Sequence, residues 1–205
     1  MIRGLDAARV RANAERIREE IGPGAELLAA VKYLAPEELG TLAEAGVTLV
    51  GENRAQDLLD KQSAHGDLFR WDFIGALQSR KVRDVAPAVR LIHSVASDSA
   101  LAQLEKHPAP EVLVQVNVAG EEGKAGIAPA DLGAFIERCP VPVGGLATMP
   151  PFVEDAEANR RHFFRLAELA AEHGLTRLSM GTTQDYRVAV EEGATIVRIG
   201  SALYE

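Results

Sequence analysis

The sequence predicts an α/β protein: a closed TIM (β/α)8-type barrel, a single domain over residues 1–205, with one extra helix at its N-terminus. Three observations predict it. Short apolar segments alternate with helical ones along the whole chain, the rhythm of a parallel sheet joined by crossover helices. Several of those segments, Val112-Leu113-Val114-Gln115-Val116-Asn117 above all, are apolar almost throughout before ending in polar residues, as strands covered on both faces must be. No low-complexity stretch or linker divides the 205 residues, a length near the lower limit for an eight-stranded closed barrel. An open, doubly wound sheet satisfies the same alternation and is the competing architecture.

Residues 3–20 space Leu5, Ala8, Val10, Ala12 and Ile17 among arginines and glutamates, a helical pattern that Gly22-Pro23-Gly24 ends. The alternation then begins with strand 26–31 and a helix over 36–45 that Pro36 opens. Strand 47–50 precedes helix 53–62, strand 71–74 precedes helix 78–85, and strand 90–93 precedes helix 98–106. The valine-rich strand 111–118 leads to helix 129–138, and strand 142–147 to a long helix over 155–173. Strand 176–179 with helix 183–191, then strand 195–199 with a final turn from Ser201, close the series.

Composition narrows the function. A net charge of −8 and a pI near 5.2 oppose nucleic-acid binding in the absence of a basic stripe. Arg160, Arg161 and Arg165 share their helix with Glu154, Asp155, Glu157 and Glu168, so they form a solvated face. No apolar run is long enough to span a membrane and the N-terminus lacks a signal-peptide core, so a cytoplasmic protein is expected. Cys139 has no partner for a disulfide, and the five histidines are scattered without metal-site spacing.

Chemistry in such a barrel belongs at the C-terminal ends of the strands. Those ends offer Lys32, Asn53, His93, Asn117, Ser179-Met180-Gly181-Thr182-Thr183 and Arg198-Ile199-Gly200-Ser201, and almost no carboxylate. That poverty argues against glycosidase and metal-assisted chemistry. Lys32 is either a solvated strand end or a Schiff-base nucleophile at the barrel mouth. Glycine beside hydroxyls after strands seven and eight makes either a phosphate cradle or two tight connections. Arg198 lies inside an apolar strand and needs a partner: a phosphate, a heteroaromatic nitrogen, or a neighbouring glutamate such as Glu52. Lysine, cradle and buried arginine together make the kit for pyridoxal 5′-phosphate.

With those residues assembled, the chain resembles the pyridoxal phosphate homeostasis protein family, single-domain relatives of the alanine racemase N-terminal barrel. The resemblance runs almost end to end. It is carried by Ala30-Val31-Lys32, Val50-Gly51-Glu52-Asn53-Arg54-Ala55-Gln56, Trp71-Asp72-Phe73-Ile74-Gly75-Ala76-Leu77-Gln78-Ser79, Ile92-His93-Ser94-Val95, Lys124-Ala125-Gly126-Ile127, Leu178-Ser179-Met180-Gly181 and Val197-Arg198-Ile199-Gly200-Ser201. It implies that Lys32 forms a covalent aldimine, Arg198 faces the pyridine nitrogen, and Thr183, Gly200 and Ser201 cradle the phosphate. Asn53 and His93 match pocket-lining positions, and Met180 and Gly181 join them as cofactor-binding residues. Asp72 and Ala76 depart from the family pattern, which has histidines there.

The resemblance implies a monomeric carrier or regulator of intracellular pyridoxal phosphate, with apo-forms of pyridoxal phosphate-dependent enzymes as its possible recipients. The alternative is an amino-acid racemase, which needs a second base on the far face of the cofactor. Of Tyr33, Tyr186 and Tyr204, only Tyr33 adjoins Lys32, and strand alternation reads it as a packing residue. Lys124, in the loop after strand five, is either a transient second amine or a solvated lysine.

Overall fold

The computed structural model describes residues 1–205. Eight parallel strands close in sequential order: β1 (Glu26–Ala30), β2 (Leu49–Glu52), β3 (Arg70–Phe73), β4 (Leu91–Val95), β5 (Val112–Gln115), β6 (Val143–Ala147), β7 (Arg177–Thr182) and β8 (Ile196–Ile199). Pairing of β1 with β8, Leu28 opposite Arg198 and Ala29 opposite Ile199, seals the barrel and excludes the open sheet. The intervening helices are α2 (Leu39–Glu44), α3 (Ala55–His65), α4 (Val82–Val85), α5 (Asp98–Leu104), α6 (Leu132–Glu137), α7 (Arg160–Glu172) and α8 (Tyr186–Glu191). The extra helix α1 (Ala7–Ile21) precedes them and the short α9 (Ser201–Tyr204) follows.

Local chemistry sets the ends of these elements. Asp6 caps α1 by accepting from the Ala8 and Arg9 N–H groups, so the helix begins at Ala7 rather than at residue 3. Gly22, with φ +66°, closes it. Residues 183–185 form a turn rather than the first turn of a helix. The Asp185 carboxylate accepts from the Thr182 N–H at 2.7 Å and from the Asn159 side chain at 2.9 Å, and α8 starts only at Tyr186. Strand 111–118 is shorter than its valine run suggests, because only an isolated bridge from Val116 to Ile127 continues β5.

Alternation along each strand splits the side chains into two layers. Leu28, Leu49, Leu91, Leu113, Ala147 and Ile196 form one cluster at the barrel centre, and the larger core lies between the strands and their helices. Gly51 leaves space in the inner layer, since a Cβ there would meet Leu28 Cδ2 at 2.4 Å. Gly181 serves a different contact. It sits at φ +87°, and a Cβ would lie 2.6 Å from that of Ala189 on α8. Gly181→Ala is therefore expected to destabilise the protein by about 2 kcal/mol or more, read as a lower denaturant midpoint at unchanged m-value.

Candidate functional site

The C-terminal mouth of the barrel opens into a cavity of about 540 Å³ whose walls include Lys32, Asn53, Thr183, Arg198, Gly200 and Ser201. A smaller chamber of about 210 Å³ shares Asn53, Ile74, Met149 and Arg198 with it and reaches down to His93. Six of the nine residues expected from the sequence thus line one cavity and His93 lines the adjoining one. The other two lie elsewhere. Met180 is fully buried in the core between strands and helices, because its neighbours Ser179 and Arg198 claim the inner face and alternation turns Met180 outward. Gly181 packs against α8, as described above.

Lys32 is exposed in the turn directly after β1, its Nζ lying 4.7 Å from the centre of the Tyr33 ring. Tyr33 is 62% exposed and lines the cavity, which corrects its reading as a packing residue. The strand has ended at Ala30, so alternation no longer governs residues 31–33. The backbone before Lys32 is clamped from two sides. The Tyr204 hydroxyl donates to the Ala30 carbonyl at 3.2 Å and Lys61 Nζ to the Val31 carbonyl at 2.6 Å. Burial raises the Tyr204 phenol above its ordinary range, with the Glu52 charge adding to the effect, so it stays a donor.

Lys61 also makes a 2.6 Å ion pair with Glu52, and both are buried in the layer between β2 and α3. This settles the partner of Glu52, and it is not Arg198. Sequence reasoning missed Lys61. The available signal was its spacing, since Ala55, Leu58 and Lys61 recur every three residues on the buried face of α3. The second Glu52 oxygen accepts from the Asn53 N–H. Asn53 Oδ1, by contrast, is buried with no hydrogen-bond partner in the protein.

Arg198 has no carboxylate within ion-pair distance. Its Nη1 donates to the Ser179 carbonyl at 2.7 Å and the Ser179 hydroxyl at 2.6 Å, and its Nη2 to the Thr148 carbonyl at 2.8 Å. Burial pulls its pKa down to about 10, with distant Asp185 opposing, so it remains a cation near neutral pH. At the far side of the cavity the Thr183 hydroxyl accepts from the Gly200 N–H at 3.2 Å, and a Cβ on Gly200 would meet nothing within 4 Å. Lys32, Arg198, the first-turn N–H groups of α9 and the hydroxyls of Thr183 and Ser201 thus share one cavity, a set of cations and donors of the kind a phosphate group requires.

Asp72 is fully buried inside the barrel, where Arg90 donates to both its oxygens at 2.8 and 3.0 Å and His93 meets it at 3.1 Å. Its carboxyl is held below the usual carboxylate range, the hydrogen bonds and charges of His93 and Arg90 outweighing a large desolvation that acts the other way. Burial pushes His93 below its ordinary value, against the pull of Asp72. The native state therefore carries neutral His93, whereas the unfolded chain takes up a proton below about pH 6.5. Stability from this group is complete above the unfolded value and declines as pH falls beneath it. The predicted slope is up to about 1.4 kcal/mol per pH unit, measurable as the difference between wild type and His93→Gln in denaturant titrations.

Several expected features lie outside the cavities. Asn117 closes its own loop by hydrogen bonds to Glu121, and Lys124 pairs with the same glutamate at 2.5 Å. Ala76, by contrast, is exposed on the wall of the smaller chamber. No group of three or more metal-ligating side chains comes together, and no helix is long and apolar enough to cross a membrane.

Comparison with known proteins identifies the family. Residues 5–205 match the model of the alanine racemase N-terminal domain. A pyridoxal phosphate homeostasis protein of Aquifex aeolicus is 39% identical over 96% of this chain and 95% of its own length. The solved structure of PipY from Synechococcus elongatus without pyridoxal phosphate superposes with a TM-score of 0.89 at 30% identity, covering 96% of this chain and all of PipY. The form of PipY with pyridoxal phosphate bound gives a TM-score of 0.84 at 29% identity, again over 96% of this chain. Matched over residues 5–205 and over almost its whole length, the chain belongs to the pyridoxal phosphate homeostasis proteins, a family built on the alanine racemase N-terminal domain.

Proposed function

We propose that the protein holds pyridoxal 5′-phosphate at the barrel mouth and serves intracellular homeostasis of that cofactor as a carrier or regulator. The observation that carries the reading is the convergence, on one cavity, of an exposed amine, a buried cation without a carboxylate and a hydroxyl-lined turn. Bound there, the cofactor supplies an aldehyde that an amine captures covalently. Lys32 is that amine, and the clamps on Ala30 and Val31 hold its backbone in place. Thr183, Gly200 and Ser201 receive the phosphate, and Arg198 presents its Nε–H to the ring nitrogen. Asn53, on the wall shared by the two chambers, lines the ring side of the cavity.

Holding rather than turnover fits the surrounding groups. Racemisation needs a base on each face of the bound substrate. Tyr204 spends its hydroxyl on Ala30, Tyr186 bonds to Glu20 away from the mouth, and His93 has both nitrogens engaged. Tyr33 lies against Lys32 itself, on the same side of the cavity. We place the protein in the cytoplasm, in keeping with a lone half-buried cysteine. Its partners would be apo-enzymes that accept the cofactor. Titrating the protein with pyridoxal phosphate should produce a visible absorbance band, and incubation with an apo-transaminase should then restore transaminase activity. Interconversion of L- and D-alanine at about 1 per second or faster would replace this reading with the racemase. Absence of the band would remove the cofactor altogether.

A further inference from the structure

The barrel interior contains an unbroken line of hydrogen bonds running from its floor to Arg198. Glu26 accepts from Arg90 at 3.0 Å, Arg90 donates to Asp72, and Asp72 meets His93 Nε2 at 3.1 Å. His93 Nδ1 lies 2.8 Å from the Ser179 hydroxyl, which accepts from Arg198 Nη1 at 2.6 Å. These groups come from β1, β3, the residue before β4, β4, β7 and β8, so only closure of the barrel brings them into line.

Chemistry fixes the direction of every proton in this line. Arginine can only donate and an ionised carboxylate can only accept. Asp72 takes three N–H groups on two oxygens: Arg90 Nε on Oδ1, and Arg90 Nη2 with His93 Nε2 on Oδ2. His93 therefore carries its proton on Nε2 and offers a lone pair at Nδ1. The Ser179 hydroxyl must point its hydrogen at that lone pair, which leaves its oxygen free to accept from Arg198. The opposite tautomer would set the Nε2 lone pair against the Asp72 carboxylate and leave the Ser179 hydrogen without that acceptor. A cationic His93 would stand between Arg90 and Arg198 in a fully buried position.

We propose that Asp72, His93 and Ser179 are positioning residues for Arg198: a one-directional chain that keeps His93 in the neutral Nε2–H form and fastens the guanidinium so that its unspent donor faces the ligand. Nη1 is used by Ser179 and Nη2 by Thr148, whereas Nε donates to no protein acceptor. A ligand acceptor such as an unprotonated heteroaromatic nitrogen then meets a donor whose orientation is set before binding. The ligand part of this inference rests on the cofactor reading above, and the proton order does not.

The test uses ligand-free protein carrying 15N-labelled histidine, with His93 identified among the five histidines by its loss in His93→Gln. Long-range 1H–15N correlation should show His93 as the Nε2–H tautomer, unchanged from about pH 8 to about pH 5.5. Ser179→Ala should keep that tautomer and raise the dissociation constant for pyridoxal phosphate about tenfold. Asp72→Asn should mix or reverse the tautomer, because an amide cannot accept all three N–H groups. A cationic or Nδ1–H His93 in the wild type overturns the chain, as does a Ser179→Ala affinity within about twofold of wild type. Should the wild type bind no pyridoxal phosphate, the cofactor reading fails while the tautomer still decides the proton order. The wild-type spectrum alone is decisive if Asp72→Asn does not fold.

Discussion

Replacing Lys32 by alanine is expected to abolish borohydride-trappable capture of pyridoxal phosphate and to weaken its binding by at least about a hundredfold. The expectation follows from position. Lys32 is the lysine that lines the mouth cavity, just after the end of β1. Phosphate contacts at Thr183, Gly200 and Ser201 would remain, so weak non-covalent binding should survive as a small absorbance change without a trappable product. Stability should stay within about 0.5 kcal/mol of wild type, because the side chain is exposed and makes no buried contact. Peptide mapping after reduction gives the complementary check. Label on the Lys32 peptide alone supports the assignment, and label on Lys124 would reopen the case for a second amine.

Lys61→Met is expected to destabilise the protein by about 3–5 kcal/mol, the largest single effect outside the cavity. The substitution strands Glu52 as an unpaired buried charge and removes the donor to the Val31 carbonyl. For a chain of this size the melting temperature should fall by about 6–20 °C. Adding Glu52→Gln removes the stranded charge while keeping an acceptor for the Asn53 N–H, and should recover more than half the loss. A single-variant loss below about 1 kcal/mol would show that the pair is hydrated and carries little energy. The pair also bears on function. Because Lys61 grips the residue before Lys32, the double variant should fold yet capture the cofactor less readily.

Legibility of this protein in its sequence followed the range of the interactions concerned. Apolar runs and helical spacing are local, and they marked all eight strands in the right order with ends shifted by a few residues. Ends moved where a side chain competed with the backbone, as at Asp185, whose carboxylate holds the Thr182-Thr183 turn out of α8. The candidate cavity was legible for a related reason. A parallel barrel gathers the C-terminal ends of its strands at one mouth, so Lys32, Asn53, Thr183, Arg198, Gly200 and Ser201 could be grouped before any contact was known. Met180 and Gly181 escaped that logic, since position at a strand end does not say which face a side chain takes.

What the sequence determined by itself was therefore the order of the strands and the inventory at the mouth, both written in patterns a few residues long. Tertiary structure alone decided the partners. Glu52 turned outward to Lys61 and away from Arg198, Tyr33 came to the rim beside Lys32, and Asp72, 18 residues before Arg90, became the acceptor that joins it to His93. The reason is closure. Alternation allows each strand two faces, and only when β8 pairs with β1 do those faces become an inside and an outside. Ser179 and His93, 86 residues apart, then meet across the interior and set the arginine that faces the site.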